Sequence, residues 1–195
     1  MKNNKRKAIL LSAYEVFKVK GYSRATVSEI AKGASVGKGT IYEYFNSKYD
    51  LFYKMIENLV EVYLEEIKKA VAEEDDPIEK LKAFYDKNRE QSNILYAVDF
   101  TSDKDSNRPI MDKVLLVVIE NREDYLDIVK KIIVECIESG IIKKEVDVEY
   151  VARFYFSICS QFSINTILKQ YAKLEVDEKI KSKNFVEYYI DLINN

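Results

Sequence analysis

The sequence contains no histidine among its 195 residues. Without histidine, the chain can form no histidine-containing metal site and no Ser–His–Asp triad, and it lacks the commonest general base. It also carries no nucleophile elbow and no cofactor-binding fingerprint. The sequence therefore predicts a protein that is not an enzyme and that uses no metal and no cofactor.

Residues that break or cross-link structure are scarce as well. With only 5 glycines and 2 prolines, the chain favours long helices over turn-rich β-sandwiches. Cys136 and Cys159 lie among apolar residues, which is typical of buried cysteines outside disulfides. No apolar run approaches the roughly 20 residues of a membrane span, and no signal-type segment begins the chain. We therefore expect a cytoplasmic protein with no membrane partner.

Charge of one sign does not dominate the whole chain. The 31 basic and 33 acidic residues give a net charge of -2, which by itself argues against nucleic-acid binding. Residues 1–50, however, hold ten basic and four acidic residues, a net +6, which leaves -8 on the remainder. A basic head on an acidic body indicates that the head binds a polyanion.

The periodicity predicts a chain of helices. A first helix ends at Lys20 with Gly21 as its stop, and Thr26 with Glu29 fits a capping box that begins a short second helix. Gly37 is the N-cap of a third short helix. Further helices are predicted over 48–72, from Pro77, in a shorter segment around 94–98, over 109–139 as one helix or two with a bend, over 147–171 and over 177–193.

These elements predict an all-α fold of about nine helices. Residues 1–47 would form a three-helix domain in which the second and third helices make a helix-turn-helix, with the motif at about 26–45. Residues 48–195 would form a second, helical domain. No internal repeat or low-complexity linker is present.

The third helix has two unlike faces. Ile41 and Phe45 are one turn apart and should face the core, whereas the residues opposite suit a nucleic acid. Lys38, Tyr42 and Lys48 suit phosphate contacts. Two neighbours complete this expectation: Thr40 can touch a phosphate or a thymine methyl, and Gly39 lets phosphate or backbone approach closely.

The segment from Thr26 to Leu51 resembles the signature of the TetR (tetracycline-repressor-like) transcriptional regulators. The resemblance is carried by Thr-Val-Ser-Glu-Ile-Ala at 26–31 and by Ala-Ser-Val-Gly-Lys-Gly-Thr-Ile-Tyr-Glu-Tyr-Phe-Asn-Ser-Lys-Tyr-Asp-Leu at 34–51. It covers about residues 5–55; the rest resembles the family only in architecture. The family's usual Gly-Val-Ser here reads Ser35-Val36-Gly37, so no hydroxyl is present at 37, and Ser35 is the candidate to supply that phosphate contact instead. The predicted DNA-binding residues are Thr26, Ser35, Lys38, Gly39, Thr40, Tyr42, Tyr44 and Lys48.

The resemblance implies a ligand-responsive repressor. Two recognition helices of a homodimer would enter successive major grooves of a pseudo-palindromic double-stranded operator, about 34–36 Å apart. A small-molecule effector bound by the C-terminal domain would release the DNA. A transcriptional activator of the same fold is the alternative within the family, and an all-helical enzyme or a scaffold protein are the alternatives outside it.

The C-terminal domain offers aromatic candidates for the effector pocket and apolar candidates for a dimer interface. Each of these aromatic residues is also a candidate for the hydrophobic core, without any contact to a ligand. The candidate pocket residues are Phe84, Tyr85, Tyr96, Phe100, Tyr125, Phe154, Tyr155 and Phe162. The helix at 147–171 is apolar on two faces, and a helix of this kind is buried on two sides. One of them is expected to meet a second subunit, with Phe156, Cys159, Ser163 and Tyr188 as candidate interface residues.

Overall fold

The computed structural model describes residues 2–95, 116–117, 119–143, 145–172 and 182–195. Within these ranges the fold is all-α, as predicted, and contains no strand. No helix in the described ranges is long and apolar enough to cross a membrane. The described helices are α1 (Lys2–Arg24), α2 (Val27–Gly33), α3 (Lys38–Tyr44), α4 (Lys48–Ala72), α5 (Pro77–Leu95), α6 (Arg122–Glu138), α7 (Val148–Ala172) and α8 (Ser182–Asn194).

The chain divides into two compact units. Unit 1 contains the residues up to Val62 and the described residues between Leu95 and Glu120; unit 2 contains Tyr63–Ile94 and the described residues from Asn121 onward. The division between the units falls within α4, where Leu51, Phe52 and the apolar residues of the next two turns are buried. The domain boundary expected between residues 47 and 48 stays a prediction.

Helix α1 changes direction where the sequence predicts its end. Ile9, Ala13 and Phe17 are fully buried on its inner face. Gly21 has φ 70° and ψ 170°, a conformation open essentially only to glycine. One further turn follows, closed by a hydrogen bond from the amide of Ala25 to the carbonyl of Gly21 at 3.3 Å.

Side-chain caps begin three of the later helices, α4, α5 and α7. The Oδ1 atom of Asp76 accepts from the amides two and three residues ahead at 2.8 and 3.2 Å. Asp147 does the same at 2.9 and 3.2 Å, and Ser47 Oγ accepts from the amide of Asp50 at 3.0 Å. Each cap satisfies helix amides that have no partner within the helix.

One predicted boundary differs from the structure. Helix α5 runs unbroken to Leu95, because none of Gln91, Ser92 and Asn93 is a residue that ends a helix. In the described part of the segment predicted over 109–139, a turn at Asn121 separates two helical stretches, which is the second of the two predicted alternatives. The last described helix begins at Ser182; the segments 96–115 and 173–181 lie outside the described residues.

Helices α1 and α2 approach each other closely in unit 1. Ser12 is buried, and its Oγ donates a hydrogen bond to the carbonyl of Ile30 at 2.8 Å. A Cβ added at Gly33 would lie 2.3 Å from that Oγ. Gly33 is therefore required by the packing of α2 on α1.

An aromatic cluster forms the core of unit 2. The ring centroid of Tyr155 lies 6.1 Å from that of Phe84, 5.2 Å from that of Phe185 and 4.8 Å from that of Tyr189. The hydroxyl of Tyr155 donates to the carbonyl of Leu81 at 2.6 Å. Helix α7 is thus held to α5 and α8 by rings whose polar group is satisfied.

This packing corrects the prediction for α7. Phe156 and Cys159 are buried inside unit 2, with Phe156 in ring contact with Phe84 at 6.4 Å. Val151, Ala152 and Tyr155 on the two apolar faces are buried as well, so the described part of α7 offers neither Phe156 nor Cys159 to a second subunit. Tyr188 is 76% exposed, and the side chain of Ser163 lies outside the described residues.

The aromatic residues proposed for the effector pocket also differ in their burial. Phe84, Tyr85, Tyr125 and Tyr155 are buried in unit 2, whereas Phe154 is 43% exposed and therefore lies on the outer side of α7. The remaining candidates lie outside the described side chains: Tyr96, Phe100 and Phe162. A role in ligand binding stays a prediction for all eight.

The contact between Ser12 and Gly33 can be tested by a double-mutant cycle. Gly33→Ala should lower the free energy of unfolding by about 1–3 kcal/mol, because the new methyl group overpacks the α1–α2 contact. Adding Ser12→Ala removes the Oγ and leaves a 3.4 Å contact to the Ser12 Cβ, so it should restore part of that loss. Urea unfolding followed by circular dichroism measures both, and purely additive losses would contradict this account.

Candidate nucleic-acid interface

Helix α2 begins with the predicted capping box. The amide of Glu29 donates to Thr26 Oγ1 at 3.3 Å, and the amide of Thr26 donates to Glu29 Oε2 at 3.1 Å. Glu29 also accepts a hydrogen bond from Lys20. These bonds, first that of Lys20 and then those of Thr26, lower the pKa of Glu29 to about 2. The start of α2 is therefore tied to the turn of α1 before its kink by a carboxylate that stays ionised at neutral pH.

The turn between α2 and α3 is a Schellman motif. The amide of Val36 donates to the carbonyl of Ala31 at 2.9 Å, and that of Ser35 to the carbonyl of Lys32 at 3.1 Å. Ser35 has a φ of 54°, the left-handed conformation that glycine usually supplies in this motif. The turn leaves Ser35 exposed and provides hydrogen-bond donors for the carbonyls at the end of α2.

Helix α3 is anchored by its inner face. Gly37 is its N-cap, with φ -72° and ψ 151° and no side-chain hydrogen bond. Ile41 and Phe45 are buried, as predicted. The guanidinium of Arg6 lies 5.9 Å from the ring centroid of Phe45, which joins the beginning of α1 to the end of α3.

The outer face of α3 is open. Lys38, Gly39 and Glu43 are exposed, and Tyr42 is 48% exposed. A Cβ added at Gly39 would meet no atom within 4 Å. Glycine within a helix costs up to about 1 kcal/mol relative to alanine, and no packing contact in the described chain requires it at this position.

Lys48 differs from Lys38 in its surroundings. Its ammonium nitrogen donates to the carbonyls of Ala25 at 2.9 Å and Ser23 at 3.3 Å. The same nitrogen lies 4.4 Å from the ring centroid of Tyr22. Burial lowers the pKa of Lys48. The side chain predicted to contact phosphate thus has intramolecular partners in unit 1.

Sequence reasoning missed Tyr22. Its ring stacks on Phe17 at 5.8 Å and meets the edge of Phe52 at 5.3 Å, and the Phe17–Phe52 distance is 4.9 Å. We name Phe17, Tyr22 and Phe52 the head cluster. No local pattern marks Tyr22, because its partners come from an earlier turn of α1 and from α4. The only feature of the sequence that relates to this contact is the spacing of Lys48 and Phe52, which lie one helical turn apart and both contact the Tyr22 ring.

The structure brings all eight predicted DNA-binding residues into unit 1. Thr26, Ser35, Lys38, Gly39 and Tyr42 are exposed, and Thr40, Tyr44 and Lys48 are half-buried. DNA contact stays a prediction for each. The arrangement itself is a helix-turn-helix whose third helix presents its N-terminal residues outward, as a recognition helix does.

Two family models together match nearly the whole chain. The model described as bacterial regulatory proteins of the tetR family matches residues 9–55. The model described as the C-terminal region of YsiA-like proteins matches residues 53–186. The second match alone covers more than half of the chain.

A curated relative and two solved structures are similar over most of their length. The fatty acid metabolism regulator protein of Bacillus subtilis is 30% identical over 151 residues, 76% of each chain. The fatty acid degradation regulator FadR of Bacillus halodurans is 26% identical with a TM-score of 0.62, over 97% of each chain. FadR of Bacillus subtilis in complex with stearoyl-CoA has the same fold, at 24% identity and a TM-score of 0.62, also over 97% of each chain.

Three observations indicate the same family: the helix-turn-helix geometry, the basic head and these similarities. The family model for the head covers the capping box, the Schellman turn and α3, and the relative extends the similarity into the body. The chain therefore belongs to the TetR family and is a ligand-responsive, DNA-binding transcriptional regulator.

Proposed function

We propose that this regulator is a repressor of fatty-acid-related genes, which binds a pseudo-palindromic operator as a homodimer and is released by a long-chain fatty acyl thioester. The observation that carries DNA binding through α3 is the open face of Lys38, Gly39 and Tyr42. The effector class is supported by the curated relative, a fatty acid metabolism regulator.

The outer face of α3 supports contact with a major groove. Lys38 at the first helical position can neutralise a phosphate, and Tyr42 one turn later can donate to another. Between them, Gly39 leaves the helix backbone uncovered. Because Gly39 has no side chain, α3 can lie closer to the duplex beside Lys38 than it could with a larger residue at position 39.

The exposed apolar residues of α7 and α8 support a dimer interface. Tyr150, Tyr188 and Leu192 are all more than half exposed, and Phe154 on α7 stacks on Tyr189 of α8 at 6.1 Å. Large apolar side chains on a protein surface are candidates for protein–protein contacts. The interface we propose thus uses the outer sides of these helices, whereas Phe156 and Cys159 belong to the core.

The interior of unit 2 supports an apolar effector. Apart from Asn88, its described buried side chains are apolar, and the hydroxyl of Tyr189 donates to the carbonyl of Val151 at 2.7 Å. A long acyl chain matches such an environment, since apolar ligands bind in pockets lined by aromatic and aliphatic groups. The binding of stearoyl-CoA by a protein of the same fold favours this ligand class.

Gly39→Ala separates stability from DNA binding. The substitution should leave the free energy of unfolding unchanged or raise it by up to about 1 kcal/mol. Affinity for an operator selected from random-sequence duplexes should fall about tenfold or more, because a displaced base or phosphate contact costs about 1–3 kcal/mol. Fluorescence anisotropy and thermal unfolding measure the two quantities. Unchanged affinity would contradict the proposed role of the open face, and the exposed body residue Lys131 supplies the control Lys131→Ala.

Tyr188→Glu tests the dimer interface. A charge without a partner in an apolar contact should weaken dimerisation by at least about 30-fold, the cost of losing one hot-spot residue of about 2 kcal/mol. Sedimentation velocity at several concentrations measures the dissociation constant. Val19→Glu is the matched control, because Val19 is equally exposed but lies on α1. A dimer unaffected by Tyr188→Glu would refute this interface.

In vitro transcription tests repression and the effector class together. With the selected operator placed over a promoter, the protein should reduce transcript yield, and stearoyl-CoA should restore it through a fall in operator affinity of about 5- to 150-fold. Coenzyme A alone and stearate alone are the controls. A rise in transcript on adding the protein would indicate an activator, and an absence of response to stearoyl-CoA would exclude this effector.

A further inference from the structure

Glu43 is an acidic residue on the outer face of α3. Its side chain is exposed, and it lies one helical turn after Gly39 and next to Tyr42. In the part of the chain that the structure describes, its carboxylate accepts no hydrogen bond and forms no ion pair. No intramolecular polar contact of the described head therefore accounts for a carboxylate at this position.

The position is electrostatically unfavourable for a carboxylate. Helix α3 has seven residues, and Glu43 lies in its last turn, where the helix dipole presents its negative end. The DNA proposed to bind this face is an anion, so a carboxylate directed at the phosphates would be repelled. A residue that is unfavourable both for its own helix and for general attraction to DNA indicates a specific function at the binding surface.

Gly39 leaves room beside this side chain. The side chains of a helix lean toward its N-terminus, over the residues three and four positions earlier. For Glu43 these residues are Thr40 and Gly39, and a Cβ added at Gly39 would meet no atom within 4 Å. A base edge that approaches the uncovered backbone at Gly39 would therefore lie beside the carboxylate of Glu43.

The chemistry of the major groove limits what this carboxylate can bind. An ionised carboxylate only accepts hydrogen bonds, and the donors on the base edges there are the N4 amino group of cytosine and the N6 amino group of adenine. The adenine amino group lies next to N7, an acceptor that would repel the second carboxylate oxygen. Cytosine presents no acceptor beside its amino group. The carboxylate therefore fits cytosine better than any other base.

We infer that Glu43 is a specificity-determining residue, which accepts a hydrogen bond from the N4 amino group of a cytosine in each half-site of the operator. The inference rests on the proposed binding of DNA through α3 and adds to it the identity of one base. Lys38 and Tyr42 on the same face suit phosphates. Glu43 is thus the residue of this face whose side chain selects a base by its amino group.

Selection from random-sequence duplexes by the wild-type chain and by Glu43→Ala tests the inference. The wild-type half-site should contain one position at which cytosine is required, and Glu43→Ala should accept all four bases there while the other positions stay selected. Fluorescence anisotropy then measures the size of the effect. Replacing that C·G pair by T·A in one half-site should weaken wild-type binding about 5- to 150-fold, because thymine presents the O4 acceptor to the carboxylate. Glu43→Ala should bind the two duplexes equally.

Glu43→Gln is a second variant with its own expected result. A glutamine side chain pairs with N6 and N7 of adenine, so this variant should accept adenine at the position that the wild-type chain restricts to cytosine. Glu15→Gln is the matched control, because Glu15 is an exposed carboxylate of the same unit that lies on α1. It removes the same charge and should leave the selected sequence unchanged. Circular dichroism verifies that each variant is folded.

Two kinds of failure are distinguishable. A wild-type half-site without a required cytosine overturns the inference, and so does either Glu43 variant that still requires cytosine alone. An equal rise in affinity for every sequence in Glu43→Ala also overturns it, because Glu43 would then only repel phosphates. Failure of the wild-type chain to select any sequence would instead overturn the proposed operator binding. Loss of the cytosine requirement in Glu43→Ala, with the other positions still selected, supports the assignment.

Discussion

The mutual packing of the rings of Phe17, Tyr22 and Phe52 is the interaction on which the arrangement of unit 1 depends. Tyr22 follows Gly21, and the positive φ of that glycine turns the chain so that Tyr22 stacks on a ring of the preceding helix turn. Phe52 then brings α4 against the end of α1. The chain from Gly21 to Thr26 is held by these rings, and α2 then begins at Val27 with Thr26 as its N-cap. The outward face of α3 is therefore set by contacts between residues that have no direct part in binding DNA.

Local features of this fold could be predicted from sequence, and contacts between distant segments could not. The caps at Thr26, Asp76 and Asp147 involve partners within three residues, so the sequence displays cap and partner together. The partners of Lys48 lie more than twenty residues earlier, so its residue type indicated only a cation available for phosphate. The same limit explains α7: its two apolar faces were visible in the sequence, but whether a helix of the same subunit or a second subunit covers them depends on the tertiary packing.

Gly21, Gly33 and Gly39 in the head are glycine for different physical reasons. The comparison shows that only the reason for Gly39 lies outside the packing and backbone conformation of the described chain. Gly21 is required by its backbone conformation and Gly33 by the side chain of Ser12. Gly39 has a helical conformation, and a side chain there would meet open space. A residue that weakens a helix without serving its packing is best explained by a molecule that approaches from outside. Natural proteins depart from locally stable choices chiefly at functional sites, and Gly39 lies on the face that the helix-turn-helix geometry assigns to DNA.

The distribution of charge gains meaning once the partners of each lysine are known. The net charge of -2 conceals a head of +6, but that figure does not say which of the charges lie near a phosphate. Lys20 is paired with the carboxylate of Glu29, whereas Lys48 keeps its charge while its ammonium donates to backbone carbonyls. A phosphate at α3 responds to charges within about 8 Å at physiological salt, so lysines near that helix, such as Lys38, determine its affinity more than the total does. The steepness of the salt dependence should therefore follow the number of basic residues close to the DNA, and a count of basic residues taken from the sequence gives only its upper bound.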